Sequence, residues 1–158
     1  MAYLHSFGIV HNDLAPRNVL LDSHLNCKVT DFGLSKMVSN KDATITYDHK
    51  QRIPVMYMPP ELFLDHIIGL KLDSWSYGIS CIEIYKNGEQ PFGPIPGIES
   101  VKKIKNGIIP NKPELMDNNL YRLIEKLSLE YNYKKRACFE TILKSLHQYE
   151  SLKGKEKY

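Results

Sequence analysis

The segment from residue 31 to residue 62 restricts the fold more than any other part of this sequence. It is polar, shows no sustained hydrophobic period and ends in Pro59-Pro60. Segments of this length without regular structure are uncommon inside compact domains, where they usually carry function or are disordered. Any fold for this chain must therefore accommodate a long irregular loop between two structured parts.

The residues before this loop predict a small hairpin. Residues 18–22 are a short apolar run that ends in turn-forming residues, and residues 27–31 alternate and include β-branched side chains. The turn-forming stretch between Asp22 and Asn26 separates the two runs. This pattern is typical of two short antiparallel strands.

Four helices are predicted after the loop, each with apolar residues at helical spacing. The first ends at Asn87-Gly88, the second covers residues 98–106, the third begins near Asp117 and the fourth covers residues 137–149. The residues that we expect to face inward are Leu72, Trp75, Ile79, Ile82, Val101, Ile104, Leu120, Leu123, Ile124, Leu127, Phe139, Ile142, Leu143 and Leu146. The order of these elements predicts a mainly α domain with a small β hairpin.

The composition excludes several classes of protein. A chain of 158 residues with 42% hydrophobic side chains can form one domain, or one lobe of a larger one, with a sizeable core. The net charge of +3 predicts no nucleic-acid partner, and no apolar run is long enough to predict a membrane-spanning segment. The cysteines are widely spaced and never form a C-x-x-C pair, which favours a reducing compartment over a disulfide framework or a zinc site. They are Cys27, Cys81 and Cys138.

The candidate chemistry lies in the run His11-Asn-Asp-Leu-Ala-Pro-Arg-Asn18 and in Asp31-Phe-Gly33. Asp13, Asn18 and Asp31 are oxygen donors on either side of the predicted hairpin, so the chain can bring them together. Two carboxylates and an amide suit a hard cation such as Mg²⁺ that keeps waters and phosphate oxygens. A carboxylate left off the metal could orient a hydroxyl nucleophile for in-line displacement. The alternative is that these side chains only cap turns.

The joint pattern resembles the protein kinases, whose motifs include H-R-D-L-x-x-x-N, D-F-G and A-P-E. This chain has His11-Asn-Asp-Leu14 with Asn18, then Asp31-Phe-Gly33, then Pro59-Pro-Glu61. The run Asp73-Ser-Trp-Ser-Tyr-Gly78 is similar to the start of a helix in that family. The resemblance covers residues 1–146 and implies the C-terminal lobe of a protein kinase, with a partial kinase domain at residues 1–149 and a charged tail at residues 150–158.

The subclass that the chain resembles is the tyrosine kinases. Serine/threonine kinases usually have lysine two residues after the catalytic aspartate, where this chain has Ala15. Arg17 lies four residues after it, in A-P-R-N, which is close to the A-A-R-N of most tyrosine kinases. Residues 53–57 are similar to the segment that contains P-V-K-W in those enzymes, and residues 88–92 to their G-E-x-P-Y/F turn.

The resemblance implies an ATP-dependent protein tyrosine kinase that acts in the cytoplasm in signalling and transfers the γ-phosphate to protein tyrosines. Asp13 would accept the proton of the substrate phenol, and Arg17 would steady this acceptor. Asn18 and Asp31 would hold Mg²⁺ on the ATP phosphates. Leu20 would lie beneath the adenine.

The same resemblance assigns structural or regulatory roles to a second set of residues. In this family the histidine of the first motif and the phenylalanine of D-F-G stack in a column anchored on an aspartate, and the A-P-E glutamate pairs with a late arginine. Residues 31–61 would form an activation segment with one candidate phosphorylation site. The residues concerned are His11, Phe32, Gly33, Tyr47, Glu61, Asp73 and Arg136.

Some positions depart from the family pattern. Asn12 replaces the arginine of H-R-D, and a neutral amide cannot form a bidentate ion pair with a phosphorylated loop. Met56, Tyr57, Ser128 and Ala137 replace a lysine, two tryptophans and a proline of the family. We expect these four changes to weaken packing without touching the chemistry.

The sequence also contains no G-x-G-x-x-G and no V-A-I-K lysine, the motifs of the N-terminal lobe that covers and clamps ATP in the family. We expect Met1 to be an internal methionine of a longer protein or the start of a partial gene model, and we expect the 158 residues alone to be inactive. The rival hypothesis is a truncated pseudokinase fragment that binds other proteins without catalysis.

Overall fold

The computed structural model of this protein describes residues 1–48 and 50–155. Within these residues, the helices are α1 (Ala2–Ser6), α2 (Pro60–Leu64), α3 (Lys71–Tyr85), α4 (Gly97–Lys105), α5 (Asn118–Leu127) and α6 (Phe139–Lys155). The strands are β1 (Ile9–Val10), β2 (Val19–Leu21), β3 (Cys27–Val29), β4 (Lys36–Met37), β5 (Ile45–Thr46) and β6 (Ile67–Ile68). Short 3₁₀ turns cover Pro16–Asn18 and Val55–Tyr57. The mainly α fold class is confirmed.

The predicted hairpin is present, as β2 pairs with β3 in antiparallel register and Leu20 lies opposite Lys28. The long polar segment is less irregular than its sequence predicts, because it contributes one strand to each of two further sheets. Its strand β4 pairs with β1, and its strand β5 pairs with β6. Backbone hydrogen bonds therefore fix the segment at two points along its length.

The four predicted helices correspond to α3 to α6, and the ends agree closely for the first three. Gly88 and Asn87 have positive φ values of 86° and 56°, and the Gly88 amide donates to the Glu83 carbonyl, which ends α3. Helix α6 does not end at Tyr149 as predicted but continues to Lys155. Residues 150–155 of the predicted charged tail are therefore helical, and residues 156–158 lie outside the described residues.

Helix α3 runs through the centre of the larger core. Trp75, Ile79 and Ile82 are completely buried on it. A Cβ atom at Gly78 would come within 2.9 Å of the Ser128 Cβ, so only glycine allows this approach of α3 to the end of α5. Ser128 thus packs closely where the family has a bulky tryptophan. None of the described helices is both long and apolar enough to cross a bilayer.

A buried ion pair ties the end of the polar segment to the turn before α6. Arg136 donates from Nη1 to Glu61 Oε1 at 2.6 Å and from Nη2 to Glu61 Oε2 at 2.9 Å. The guanidinium also donates to the carbonyls of Glu130 and Lys71, and it lies 5.0 Å from the centre of the Trp75 ring. Both carboxylate oxygens of Glu61 and most N–H groups of Arg136 are hydrogen-bonded, as a buried charge pair requires.

Replacing Glu61 or Arg136 by alanine is expected to lower the free energy of unfolding by roughly 3–5 kcal/mol, because one charge is left buried without its partner. The exposed pair between Lys41 and Glu140 is 3.7 Å long and provides the control. Lys41→Ala should cost about 0–1 kcal/mol. Denaturant unfolding of the three variants measures the difference, and equal midpoints for all of them would contradict the prediction.

The start of α5 predicts a pH-dependent stability. The Asp117 side chain accepts from the amides of Leu120 and Asn119, and these bonds, with Leu120 first, hold the pKa of the carboxyl below its ordinary value. A lowered pKa stabilises the fold above the ordinary pKa of aspartate, and this contribution is lost as the pH falls through the lowered value.

We therefore expect Asp117→Ala to lower the melting temperature at pH 7, and we expect its difference from the wild type to shrink below about pH 4. Asp117→Asn is the matched control, because an amide also caps a helix but does not titrate there. Thermal melts across this pH range test both variants. A constant difference for Asp117→Ala would show that the charge contributes nothing.

Candidate active site

The predicted catalytic loop, residues 11–18, is held in place by one buried carboxylate. Asp73, in the first turn of α3, is completely buried and accepts from the backbone amides of His11 at 2.7 Å and Asn12 at 2.9 Å. His5 of α1 donates from Nε2 to the same carboxylate at 3.0 Å. The N-terminal end of a helix favours a negative charge. Asp73 thus fixes the backbone immediately before Asp13.

Asn12 occupies a backbone conformation that few residues adopt. Its φ is 64°, in the left-handed region where asparagine is tolerated better than most side chains. The side chain is completely buried, and its amide donates to the Leu34 carbonyl at 3.0 Å. Asn12 therefore connects the catalytic loop directly to the start of the long polar segment.

His11 connects the same two regions through its ring. Nδ1 accepts from the Asp13 amide at 3.3 Å, and Nε2 lies 3.0 Å from the Thr30 carbonyl, so this arrangement requires the Nε2–H tautomer. The ring makes an edge contact with Phe32 at 5.0 Å between centroids. His11, Phe32 and Asp73 are thus brought together, although the Phe32 ring is 46% exposed.

Asp13 is held by two neighbours on its own loop. One oxygen accepts from the Arg17 guanidinium, and the other accepts from Asn18 Nδ2 at 2.9 Å. Asn18 Nδ2 also donates to the Asp13 carbonyl at 2.8 Å. Asp13 is 8% exposed. Its carboxylate is therefore oriented by these bonds and almost completely buried.

The hairpin places Thr30, the residue before Asp31, opposite Asn18. The amide and hydroxyl of Thr30 both donate to the Asn18 carbonyl, at 2.9 and 3.1 Å, so Asp31 follows directly after a contact with Asn18. Asp31 is exposed, and only its Oδ1 is used, by the Gly33 amide at 3.2 Å. The amide nitrogen of Asn18 is bonded to Asp13, which leaves its oxygen as a possible ligand.

These two oxygen donors fit Mg²⁺, which binds few protein ligands and keeps waters and phosphate oxygens. The described part of the chain contains no group of three or more His, Cys, Asp or Glu that could hold a metal ion. The donors here are one amide and one carboxylate, a set that suits a hard cation shared with phosphates.

A comparison with known protein families identifies the family of this chain. Residues 1–146 match the sequence profile of the family described as protein tyrosine and serine/threonine kinase. The chain belongs to the protein kinase family.

Several tyrosine kinases are similar to this kinase chain. Fibroblast growth factor receptor 2 of Dugesia japonica is 37% identical over 147 residues, which is 93% of this chain and 16% of that protein. Ephrin type-A receptor 1 of Homo sapiens is 34% identical over 94% of this chain and 15% of its own length. For the tyrosine-protein kinase Srms of Homo sapiens, the identity is 32% over 93% of this chain and 30% of that protein. This chain spans less than a third of each relative.

Leu20 and Tyr47, two further residues predicted from the kinase resemblance, differ in exposure. Leu20, in β2, is 56% exposed. Tyr47, after β5, is buried, and its hydroxyl donates to the Gln51 carbonyl at 2.5 Å. Burial, with Asp48 second, raises the pKa of the Tyr47 phenol. Phosphorylation of Tyr47 remains a prediction. A kinase could reach the buried hydroxyl only if the polar segment opened around Tyr47.

Two residues near the kinase site, His5 and Glu83, escaped the sequence analysis, and so did the contact of Tyr57 with Arg17. His5 carries no motif, and its only signal is a histidine on the apolar face of a short helix. Tyr57 and Glu83 form a chain of contacts with Arg17: the guanidinium lies 5.2 Å from the centre of the Tyr57 ring, and the Tyr57 hydroxyl donates to the Glu83 carboxylate. Tyr57, expected to affect packing without touching the chemistry, thus contacts a predicted site residue, Arg17.

Burial, followed by the hydrogen bond to Glu83, raises the pKa of the Tyr57 phenol far above its ordinary value. The phenol consequently stays protonated at neutral and moderately alkaline pH, and it remains a donor to Glu83. This donor is the one property that separates Tyr57 from a phenylalanine at the same position.

Proposed function

We propose that this chain is the catalytic-loop half of an ATP-dependent protein tyrosine kinase, which transfers the γ-phosphate of ATP to tyrosines of protein substrates. The observation that carries the proposal is the orientation of Asp13 by Arg17 and Asn18. A carboxylate held in one orientation at the surface can accept the proton of a hydroxyl nucleophile and align its oxygen.

Arg17 supports tyrosine as the acceptor. The guanidinium lies next to the Asp13 carboxylate, and its side chain is 47% exposed, so a substrate can reach both groups. A phenol is longer than a serine hydroxyl, so the supporting cation must stand farther along the loop than a lysine two residues after Asp13. The similarity to receptor and non-receptor tyrosine kinases supports the same acceptor.

Asn18 and Asp31 would hold Mg²⁺, which when bound neutralises the phosphate charge that develops during transfer. Leu20, an exposed apolar side chain on the hairpin, would supply the surface beneath the adenine. ATP as the phosphate donor, and a relative such as the cytoplasmic tyrosine-protein kinase BMX of Mus musculus, support a cytoplasmic location for this transfer.

A non-catalytic binding module is the second candidate, because the 158 residues contain neither the glycine-rich motif nor the V-A-I-K lysine. An apolar cavity of about 730 Å³ between the hairpin, α3 and α6 is compatible with such a role. The retained Asp13, Arg17, Asn18 and Asp31 favour the enzyme.

The proposal is tested by phosphate transfer to a tyrosine peptide in the presence of Mg²⁺ and ATP. The 158 residues alone should give no transfer above background, since the phosphate cover and the lysine clamp are missing from them. A longer protein that carries a kinase N-terminal lobe before these residues should be active, and Asp13→Asn should abolish this activity.

Asp42→Asn, an exposed aspartate in the polar segment, is the matched control and should leave the rate unchanged. An inactive longer protein whose nucleotide binding and fold are intact would favour the binding module. Transfer by the 158 residues alone that requires Asp13 would contradict the expected need for the N-terminal lobe.

The activity of the longer protein should be nearly independent of phosphorylation between residues 31 and 61. A phosphate adds a charge of about −1.5 to −2, but the buried Asn12 amide is already bonded to the Leu34 carbonyl and offers no cation. The measurement is kcat/KM before and after phosphatase treatment, in the wild type and in Asn12→Arg. A tenfold fall in the wild type, about 1.4 kcal/mol of transition-state stabilisation, would refute this expectation, whereas sensitivity confined to Asn12→Arg would support it.

A further inference from the structure

Arg17 is the least restrained of the groups around Asp13. Its side chain is 47% exposed, whereas that of Asp13 is 11% exposed. A long, half-exposed side chain in an ion pair loses conformational freedom and gains little from the pairing. The contact with Asp13 alone therefore does not fix where the guanidinium lies, and a further support is needed.

The ring of Tyr57 provides this support. It is 7% exposed, and the Arg17 guanidinium carbon lies 5.2 Å from its centre, within the range of a cation–π contact. The backbone of Tyr57 is itself fixed, because its amide donates to the Pro54 carbonyl at 2.9 Å and its carbonyl accepts from Ser76 Oγ at 2.9 Å. The ring is thus an immobile surface for a mobile cation.

The hydroxyl of Tyr57 has a second effect. It donates to the carboxylate of Glu83, a half-buried residue of α3. Lys86, the lysine directly after this helix, donates instead to the Pro91 carbonyl at 2.9 Å. Tyr57 contacts both Arg17 and Glu83, so without the tyrosine hydroxyl Glu83 would be a half-buried carboxylate that has lost this donor, and such a charge attracts an available cation.

We propose that Tyr57 is a positioning residue for Arg17: its ring carries the guanidinium beside Asp13, and its hydroxyl keeps Glu83 from drawing the guanidinium away. The relevance to catalysis rests on the proposed function, in which Asp13 and Arg17 receive the phenol of the substrate. In the tyrosine kinases that this chain resembles, a tryptophan is usual at this position.

The proposal is tested first without catalysis, by NMR of the 158-residue chain with isotope-labelled arginine. In the wild type, the Arg17 δ protons should be shifted upfield by the Tyr57 ring. In Tyr57→Phe, Glu83 loses its donor and draws Arg17 away, so this shift should be lost. In Tyr57→Phe with Glu83→Gln, the competing charge is gone and the shift should return. Tyr121→Phe is the matched control, because it removes a hydroxyl that bonds the Pro110 carbonyl far from Arg17.

An unchanged Arg17 signal in Tyr57→Phe, or no recovery in the double variant, would overturn the proposal. If Tyr57→Phe does not fold, the comparison is between Tyr57→Phe/Glu83→Gln and Tyr57→Leu/Glu83→Gln. The first keeps the ring and should keep the shift of Arg17, and the second should lose it. Identical Arg17 contacts with Asp13 in these two double variants would equally overturn the role of the ring.

Kinetics of the longer, active protein give the second readout. Tyr57→Phe should lower kcat for a tyrosine peptide about tenfold, equivalent to about 1.4 kcal/mol, with KM for ATP unchanged, and Glu83→Gln added to it should restore most of the loss. A variant with wild-type kcat and a displaced Arg17 would refute the catalytic relevance of the positioning. If the wild-type protein transfers no phosphate, the proposed function fails, and the NMR comparison still decides whether Tyr57 positions Arg17.

Discussion

The buried carboxylate of Asp73 is the group on which the rest of the site depends. It receives one donor from α1 and two from consecutive amides of the loop, so two separate parts of the chain converge on one side chain of α3. A buried charge is tolerated only when its hydrogen bonds are complete, and removal of one donor leaves the others with a poorly compensated anion. The position of Asp13 is therefore determined by a residue that is far away in sequence and never contacts a substrate.

Helix α3 carries both anchors of the polar segment. Asp73, in its first turn, holds the loop that precedes the segment. The ring of Trp75 contacts Arg136, and Arg136 pairs with Glu61 at the end of the segment. Glu83, near the other end of the same helix, bonds the tyrosine that lies under Arg17. Because α3 is buried on nearly all sides, these attachments share one rigid element, and a displacement at one of them requires the core to repack.

The sequence predicts those parts of the fold whose signal is local. The hairpin has alternating runs and turn residues, and α3 has a repeated apolar stripe. Strands β1, β4, β5 and β6 have two residues each, which is too short for any period, and they exist because tertiary contacts bring them together. The contact between Arg17 and Tyr57 joins residues forty positions apart and depends on the placement of α3, so neither residue type nor spacing indicates it.

The division between buried and exposed groups gives the site its chemical character. The residues that hold the loop, namely His5, His11, Asn12 and Asp73, are almost completely buried. Of the groups that would meet ligands, Arg17, Leu20 and Asp31 are exposed, whereas Asn18 is buried. Asp13 lies between the two sets, with both oxygens bonded and one edge at the surface. A preorganised carboxylate needs no reorganisation when a substrate arrives, and this is the condition under which a fixed charge contributes most to a transition state. The freedom that remains belongs to Arg17, which is why its support on the Tyr57 ring matters for the geometry of the whole site.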